Sequence, residues 1–381
     1  MQRRIFKIAG AGLLAIAVLA TLAITAGLGY RAYRQQIGAR ILAIHSRDGI
    51  QEGMYVRIGG IDQWIQIRGE DRGNPVILFV HGGPGDSTIP ISSGWQPWEN
   101  FFTVVQWDQR GTGRTFRING ESVAPSMTLA QIAQDGVELA EYLRAHLHKD
   151  RIVLIGHSWG SFLGIHIVKQ RPDLFYAFVG TGQLIGKRSF EKQFDVTVAH
   201  LKALAEAANN AQALRELAPI PISADFSKTP CDTISFSSQA NSTPECDVVK
   251  KWAKSLSLPS IMTYQFRGPV VPPFMPDFSL LDWYYYLRGS AFTGAQLRRR
   301  SGPMLQGDLR TLGTDFPIPL FFFEGAEDFM TPIEPARAYF DEITAPRKEF
   351  VVFEGSGHFV PFERPDEFLA QLIAHVRPLA P

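Results

Sequence analysis

The sequence predicts an α/β protein with a mostly parallel central sheet, helices on both faces, an inserted helical cap and an N-terminal transmembrane helix. Three observations predict it: short continuous apolar runs recur along the chain, segments with apolar residues at steps of three and four lie between them, and an uncharged apolar segment lies near the N-terminus. Continuous apolar runs are typical of strands buried on both faces, as in a parallel sheet covered by helices. The alternation of strand and helix therefore favours a doubly wound domain.

The expected strands begin with a hairpin-like stretch, in which Met54–Ile58 and Trp64–Ile67 alternate around Gly59-Gly60. Residues 128–148 have helical periodicity, and Thr128 with Gln131 forms a candidate capping box at the start of that helix. The continuous apolar runs, each an expected buried strand, are Val76–Val80, Phe101–Trp107, Arg151–Ile155, Phe175–Val179, Leu320–Phe323 and Phe350–Phe353.

The alternation breaks between residues 183 and 310, where the chain is Ala-rich and helical over 195–217 and rich in Pro, Ser and aromatic residues over 219–292. Because strand-like runs resume afterwards, this stretch is interpreted as a cap inserted over the edge of the sheet. Residues 31–50 are expected to be a polar linker. The expected domain organisation is a membrane anchor with its linker over 1–40, the first part of the core over 41–182, the cap over 183–310 and the second part of the core over 311–381.

Composition and charge exclude several classes of protein. The 381 residues are 45% hydrophobic and 20% charged, as in folded globular proteins, so the whole chain is not disordered, collagenous or a coiled coil. Residues 1–40 hold six basic and no acidic residues, which leaves 32 basic and 37 acidic residues over 41–381. A mildly acidic domain lacks the concentrated positive field that binds a phosphate backbone, so no nucleic-acid partner is expected.

The N-terminal segment Ile8–Tyr30 is uncharged and apolar. As a helix it would reach about 34 Å, enough to cross a hydrocarbon core of about 30 Å. It is longer than the apolar core of about 7–15 residues in a cleavable signal peptide, which favours a retained single-pass anchor. Small-residue sites such as Thr21-Leu22-Ala23 leave cleavage as the alternative, and basic residues at both ends disfavour a buried core helix.

The orientation of this segment does not follow from the positive-inside rule, because both of its flanks are basic. The two cysteines, Cys231 and Cys246, bracket a loop rich in Ser, Thr, Pro and Asn. A disulfide between them would require an oxidising compartment, whereas two unrelated thiols would not. The cysteine pair therefore favours a folded domain outside the cytoplasm.

The sequence Gly156-His157-Ser158-Trp159-Gly160 is the sharpest local motif. It directly follows the strand-like run at 151–155 and directly precedes a helical pattern. A serine in this strand–turn–helix setting sits on a tight elbow whose flanking glycines avoid side-chain clashes, as a nucleophile does; the alternative is an ordinary Gly/Ser turn. A serine nucleophile needs a base, and the base needs a carboxylate that orients it.

The candidate acid and base are Asp328 and His358, because each follows a late strand in the chain order Ser, Asp or Glu, His. Glu324 at the strand end and Glu327 next to Asp328 are rival carboxylates. Among the other histidines, His146, His148 and His166 fall on expected helices, and His157 is expected to point away from the site.

The third part of the site is His81-Gly82-Gly83-Pro84-Gly85, directly after the run at 76–80. Backbone N–H groups of such a loop stabilise the oxyanion of a tetrahedral intermediate, and glycines let the backbone approach closely. Gly82 or Gly83 is expected to supply one N–H and Trp159 the other. A generic turn and a phosphate cradle are alternatives, but the Lys-Ser/Thr of a P-loop is missing.

Five motifs together resemble the proline iminopeptidase-like branch of the α/β-hydrolases: HGGPG (81–85), WDQRGTGRT (107–115), GHSWG (156–160), GAEDFMTP (325–332) and GSGH (355–358). The resemblance covers roughly residues 50–380, and HGGPG followed by DQRG-x-G is its most specific part. It implies the α/β-hydrolase fold with a cap, and the roles given above for Ser158, Asp328, His358, Gly83 and Trp159. It also implies that Asp108 and Arg110 build a loop beneath the active site, where we interpret them as structural.

Substrate class follows less directly from the resemblance. Family members that remove an N-terminal proline hold its free amine with acidic groups of the cap and its ring in an apolar pocket. Glu191 and Trp283 are the candidate substrate-binding residues, with surface charge and packing within the cap as the alternative reading. The cap acids are Glu191, Glu206, Glu216 and Asp282, and its nearby aromatic residues are Trp283, Tyr284, Tyr285 and Tyr286.

The sequence therefore predicts a membrane-anchored serine hydrolase that acts through an acyl-enzyme, without cofactor or metal, on amide or ester bonds of a small molecule or short peptide. A proline iminopeptidase-like aminopeptidase is favoured; a carboxylesterase or lipase-type hydrolase and a catalytically silent binding module are the alternatives. Metalloenzyme motifs such as H-E-x-x-H and C-x-x-C are absent from the sequence. Epoxide or haloalkane hydrolysis on this fold would call for Asp in place of Ser158. The sequence makes no prediction of oligomeric state.

Overall fold

The central sheet has eight strands in a computed structural model that describes residues 2–220, 244–255, 268–298, 304 and 307–380, with the backbone alone for 2–11 and 254. The strand order is β1-β2-β4-β3-β5-β6-β7-β8. The strands are β1 (Ile50–Ile58), β2 (Ile61–Gly69), β3 (Val76–Val80), β4 (Thr103–Trp107), β5 (Ile152–His157), β6 (Phe175–Thr181), β7 (Leu320–Gly325) and β8 (Lys348–Phe353).

Most of the sheet is parallel. Strands β4, β3, β5, β6, β7 and β8 pair in parallel, whereas β1 pairs with β2 and β2 with β4 in antiparallel fashion. The expected hairpin is confirmed, with Ile58 opposite Ile61 across the Gly59-Gly60 turn. Each apolar run of the sequence lies in a strand, within a few residues of its expected ends, so the expected α/β fold class is confirmed.

Helices precede, connect and cover the strands. The expected helix at 128–148 is Leu129–His146, and the side chain of Thr128 caps it by accepting a hydrogen bond from the Gln131 backbone N–H at 3.1 Å. The α-helices are α1 (Gln2–Ile41), α2 (Gly113–Asn119), α3 (Leu129–His146), α4 (Trp159–Gln170), α5 (Lys187–Ala207), α6 (Ala211–Leu217), α7 (Pro244–Ser255), α8 (Leu280–Leu297), α9 (Ile333–Glu342), α10 (Val360–Glu363) and α11 (Pro365–Gln371). Shorter 3₁₀ segments include Ile89–Asn100 and Pro272–Phe274.

The core lies on both faces of the sheet. Leu78 and Leu154 belong to the apolar cluster on one face, and their neighbours Phe79 and Ile155 belong to the cluster on the other. Successive residues of a strand point to opposite faces, so a strand that is covered on both sides must be apolar at every position. This is the physical reason for the continuous apolar runs in the sequence.

The N-terminal helix α1 is longer than expected. Its segment Gly12–Ile41 has a mean hydropathy of 2.1 in its most apolar window and none of that window is buried, so it is long and apolar enough to cross a membrane. The linker expected over residues 31–50 is wrong for its first part, because the helix continues to Ile41. Side chains of this part, Arg31 and Gln35, donate hydrogen bonds to backbone carbonyls of residues 273–278, which holds the helix on the folded domain.

Between β6 and β7 the described part of the chain is helical, and we call its helices α5–α8 with their connections the cap. The stretch expected to be helical over 195–217 is helical and holds parts of two helices, because the chain turns at Asn209, which has φ 49°, and the Asn210 side chain caps α6. Cys246 is buried and disulfide-bonded, and Cys231 lies outside the described residues.

A buried ion pair lies beneath the carboxyl edge of the sheet. The Arg110 guanidinium donates two hydrogen bonds to the Asp135 carboxylate, at 2.8 and 2.9 Å, and both side chains are almost completely buried. Arg110 also donates to the Gly59 carbonyl at 2.7 Å, which ties the β1–β2 hairpin to α3 through one side chain. These contacts agree with a structural rather than a chemical role for Arg110.

We expect Arg110→Ala to lower the free energy of unfolding by about 3–5 kcal/mol, because it leaves the Asp135 carboxylate buried without its counter-charge. Urea-induced unfolding of the purified protein measures this change. The matched control is Arg57→Ala, whose pair with Asp62 spans 3.5 Å between side chains that are 69% and 51% exposed. That substitution should cost less than about 1 kcal/mol. Equal losses in the two variants would contradict the proposed contribution of the buried pair.

Candidate active site

Ser158 lies on a sharp turn between β5 and α4, with φ 55° and ψ −121°. Such a backbone conformation is strained for a residue with a side chain and persists only where its surroundings enforce it. The surroundings here are two steric constraints. A Cβ at Gly156 would lie 2.3 Å from the Gly160 carbonyl oxygen, and a Cβ at Gly160 would lie 2.0 Å from the Val80 carbonyl oxygen. Both glycines of the motif are therefore required for this turn.

The structure brings Asp328 and His358 together. Asp328 follows β7 and His358 follows β8, and His358 Nδ1 lies 2.7 Å from Asp328 Oδ2 with both side chains buried. Thr331 completes the arrangement, because its Oγ1 donates to Asp328 Oδ2 and its backbone N–H to Oδ1, each at 2.8 Å. Burial alone would raise the pKa of the Asp328 carboxyl, but His358 and these hydrogen bonds outweigh it and the pKa lies below its ordinary value.

The two rival carboxylates lie elsewhere. Glu324 is completely buried at the end of β7, where its carboxylate accepts a hydrogen bond from the Gln183 backbone N–H at 3.0 Å. Burial raises the pKa of the Glu324 carboxyl well above its ordinary value. Glu327 is exposed. Of the three, Asp328 is the one that contacts the imidazole of His358.

His157 has a structural partner that the sequence did not indicate. Its Nε2 lies 2.9 Å from the His358 carbonyl oxygen, and the two imidazole rings are 4.9 Å apart. Because a carbonyl oxygen only accepts, the neutral ring donates from Nε2. Burial lowers the pKa of His157 to about 3, so the ring is neutral at physiological pH. His157 therefore joins the loop of His358 to the turn of Ser158.

The other ring nitrogen of His358 is unpaired. This Nε2 is buried and has no hydrogen-bond partner among the residues that the structure describes. Of the histidines expected on helices, His146 pairs with Glu52 at 2.7 Å, and burial lowers the pKa of His166, which packs on Phe162, to about 4. The expectation is wrong for His148, which lies in the turn after α3 with φ 54°.

The loop at 81–85 lies directly against Ser158. A Cβ at Gly82 would lie 3.0 Å from the Ser158 Cβ, and one at Gly83, where φ is 115°, would lie 2.6 Å from the Gly85 nitrogen. Trp159 is the first residue of α4, so its backbone N–H is among those that a helix start leaves without an intrahelical acceptor. Of the positions expected to supply the two N–H groups, Gly82 thus lies against Ser158, and Trp159 follows Ser158 directly in the chain.

Gln109 connects the loop at 81–85 to Trp159 and was not singled out from the sequence. Its Nε2 donates to the His81 carbonyl at 3.0 Å, and its Oε1 accepts from the Trp159 indole Nε1 at 3.1 Å. The neighbouring Asp108 accepts from the Arg114 backbone N–H at 2.7 Å, and burial raises its pKa to about 6. The DQRG motif is thus buried beneath the loop at 81–85 and supports it through hydrogen bonds. A polar residue inside a Gly-rich motif was the signal available for Gln109.

Helix α8 lies over the same loop. Ser290 donates to the Asp86 carboxylate at 2.7 Å, and Thr293 donates to the Gly111 carbonyl at 2.8 Å. The approach is close, because a Cβ at Gly85 would lie 2.9 Å from the Thr293 Cβ. The cap therefore contacts the candidate site through α8.

The residues expected to bind substrate have other contacts. Trp283 packs on Phe278, with ring centroids 5.0 Å apart, in the apolar cluster that contains Leu42, the residue directly after α1. Glu191 lies on α5, 3.5 Å from Lys187 one turn earlier. Among the other cap acids, Asp282 caps α8 and pairs with Arg114 and Arg117, and Glu216 pairs with Lys251.

Comparisons with known proteins show the family to which the chain belongs. The model of the alpha/beta hydrolase family matches residues 77–371. The chain is 28% identical over 332 residues to a probable aminopeptidase, YbaC, of Bacillus subtilis. This alignment covers 84% of this chain and 94% of that protein. It is 32% identical to a probable proline iminopeptidase of Leptolyngbya boryana over 131 residues, 33% of this chain and 36% of that protein.

Among solved structures, the chain resembles a membrane phospholipase A, with a TM-score of 0.56 and 17% identity over 100% of this chain and 99% of that one. This likeness concerns the fold. The family match covers residues 77–371, and the two relatives named above are a probable aminopeptidase and a probable proline iminopeptidase. The chain belongs to the alpha/beta hydrolase family and is proline iminopeptidase-like within it.

Proposed function

We propose that the chain is a serine hydrolase in which Ser158, His358 and Asp328 form a catalytic triad. One observation carries the proposal: the buried His358 is held at Nδ1 by Asp328, its Nε2 has no partner among the described residues, and His157 fastens its loop to the strained turn of Ser158. Hydrogen bonds between base and nucleophile are often long before substrate binds, so an open Nε2 is compatible with a base.

In the proposed reaction His358 Nε2 takes the proton of the Ser158 hydroxyl as the oxygen attacks the carbonyl carbon of the substrate. Asp328 holds the proton of His358 on Nδ1 and stabilises the imidazolium that forms. His358 then gives the proton to the leaving amine or alcohol, which departs and leaves an ester of Ser158. Water, deprotonated by His358, attacks this acyl-enzyme and releases the carboxylic acid.

The oxyanion of each tetrahedral intermediate is assigned to backbone N–H groups of Trp159 and of Gly82 or Gly83. Two features support this assignment: the loop at 81–85 lies against Ser158, and Gln109 ties it to Trp159. Donors that are fixed before the reaction stabilise developing charge without the cost of reorganisation. These steps use only side chains, backbone groups and water.

We propose that the preferred bond is the amide that follows an N-terminal proline or similar residue. The names of the curated relatives support this substrate class. Such an enzyme needs an anionic group for the free amine, and among the cap acids Asp282 and Glu216 already have basic partners at 3.3 Å or less. Glu191, whose ion pair with Lys187 is longer and partly exposed, remains our candidate for that role.

Ester hydrolysis is the second candidate function, since the same triad and oxyanion site cleave esters without recognising an amine. A silent binding module would need no oriented base, so the buried pair of His358 and Asp328 argues against it. Epoxide hydrolysis on this fold calls for an Asp at the position of Ser158.

We also propose that α1 is a retained anchor and that the catalytic domain lies outside the cytoplasm. The length and exposure of α1 support the anchor, with a signal sequence as the alternative. The disulfide at Cys246 supports an oxidising compartment.

We expect Ser158→Ala to lower kcat by at least about 10⁴-fold, since removal of a triad nucleophile leaves only binding and the oxyanion site. Turnover of an activated ester or anilide measures the loss, and far-UV circular dichroism with thermal unfolding checks that the fold is kept. Ser122→Ala, at an exposed serine, is the control and should keep wild-type turnover. Near wild-type turnover of folded Ser158→Ala would refute the triad.

We expect Asp328→Asn to lower kcat by about 10³–10⁴-fold, because an amide at this place favours the wrong tautomer of His358. Glu327→Gln removes the neighbouring carboxylate, which is exposed, and should change kcat less than about threefold. Steady-state kinetics on one substrate compare the two. If Glu327→Gln were the more damaging substitution, the acid would be misassigned.

Substrate class can be tested with proline p-nitroanilide, its N-acetylated form and p-nitrophenyl butyrate, with Ser158→Ala as the blank. We expect kcat/KM for the free-amine anilide to exceed that for the acetylated one by about 100-fold or more, because the acetylated substrate loses the charged hydrogen bond of its ammonium group. Turnover of the ester alone would shift the assignment to carboxylesterase. Failure to hydrolyse all three would favour the binding module.

A further inference from the structure

The cap has an apolar face beside the point where α1 meets the folded domain. We define the cap face as Val271, Leu280, Leu281, Tyr284 and Leu287, all of them large hydrophobic residues that are exposed. We propose that this face rests on the lipid bilayer that α1 crosses, so that the catalytic domain has a second, interfacial contact with the membrane. The inference rests on the proposed anchor.

The first step concerns how α1 is joined to the domain. The helix continues without a break to Ile41, and its final turns are fastened to the cap. Arg31 donates to the carbonyls of Pro273 and Phe278, and Gln35 Nε2 donates to the Met275 carbonyl at 2.7 Å. Segment 270–278 therefore lies at a fixed height along α1, beside residues 30–38.

The second step places the membrane boundary. From residue 12 to residue 28 the large hydrophobic side chains of α1 point outward, as for a helix surrounded by lipid. Two exposed tyrosines and two arginines follow within Tyr30–Arg34, the residue types that collect at the membrane–water interface. The Phe274 ring lies 5.7 Å from the Tyr30 ring and 4.8 Å from the Arg34 guanidinium. Segment 270–278 is thus at the level of the interface.

The third step concerns α8, which begins directly after this segment. Leu280, Tyr284 and Leu287 are spaced by four and three residues and form one stripe of the helix, which Ala291 and Ala295 continue. A surface helix normally turns polar residues outward and apolar residues inward. On α8 the arrangement is reversed. The charged Asp282 is buried, where it forms the capping box with Ser279, whereas the apolar Leu287 is 65% exposed.

The distribution of exposed apolar residues singles out this side of the molecule. Outside α1, the exposed large hydrophobic residues of the described chain are the cap face together with Tyr55 and Ile118. Those two line a separate groove of about 610 Å³ with Asp282, a buried residue of α8 outside the cap face, so the five residues of the cap face are the exposed apolar patch of the cap. An apolar patch of this kind marks a binding surface. Because α1 places the patch at the interface, a bilayer is the occupant that the geometry favours.

The test uses the full-length chain, reconstituted into bilayers of phosphatidylcholine and phosphatidylglycerol, with a nitroxide on a single introduced cysteine. Leu280→Cys, Tyr284→Cys and Leu287→Cys report on the cap face, Ala370→Cys on an exposed position of α11, and Leu22→Cys on the anchor. Power saturation compares collisions with oxygen, which partitions into lipid, and with a water-soluble nickel chelate. All labelled positions are exposed, so the substitutions should be tolerated.

We expect the cap-face labels to show an oxygen-to-nickel accessibility ratio at least about threefold above that of Ala370→Cys, and approaching that of Leu22→Cys. A water-like ratio at the cap face with a lipid-like ratio at Leu22 would overturn the interfacial contact and leave the anchor intact. Low accessibility to both reagents at the cap face would mean that protein covers it, a second copy or another segment of this chain, and would also overturn the proposal.

A water-like ratio at Leu22 itself would mean that α1 is not inserted, and the interfacial contact would fall with the proposed anchor. Hydrolytic activity of the labelled variants, measured on a soluble substrate, is independent of both results. The triad and the membrane contact can therefore fail separately.

Discussion

Where β5 turns into α4, the helix passes so close to strand β3 that only a glycine fits. A Cβ at Gly160 would lie 2.0 Å from the Val80 carbonyl oxygen, and this approach fixes where the helix begins. The start of the helix in turn sets the strained backbone of Ser158 and the direction of the free N–H groups that follow it. Because the loop at 81–85 leaves β3 directly after Val80, the same contact brings Gly82 against Ser158. The geometry of the site therefore depends on the absence of a side chain at Gly160.

The loop beneath the site is held by buried charge. Asp135 accepts hydrogen bonds from Arg110, from Gln63 at 2.9 Å and from Gln131 at 2.9 Å, and the Gln63 amide oxygen accepts from the Trp107 indole. A buried carboxylate is tolerable when its acceptor sites are filled in this way, and strongly destabilising when they are not. The network joins the hairpin, the DQRG loop and α3 beneath the candidate site.

The fold and the principal site residues could be predicted from the sequence because their causes are local. A strand buried on both faces must be apolar throughout, and residues that follow parallel strands meet at one edge of the sheet. This is why Asp328 and His358, 30 residues apart, could be expected to meet.

The remaining contacts depend on where remote segments pack. His157 finds its acceptor 201 residues away at His358, and Gln109 bridges two loops that only the folded sheet brings together. For Trp283 the sequence showed an aromatic cap residue but not which side of α8 would face the cluster at Leu42. The linker expected after Tyr30 was wrong for a related reason. The polar side chain of Gln35 donates a hydrogen bond to a backbone carbonyl 240 residues later in the chain, and this contact stabilises the helix.

The continuity of α1 into the domain has a mechanical consequence. A hydrophobic helix adjusts its tilt to the thickness of the bilayer around it, tilting further where the hydrocarbon is thin. If α1 crosses a bilayer as we propose, a change of its tilt would turn the folded domain with it, because Arg31 and Gln35 hold the helix to cap carbonyls and α8 of that cap lies over the loop at Gly85. The orientation of the candidate site relative to the membrane plane would then vary with lipid composition, without any change of shape within the domain.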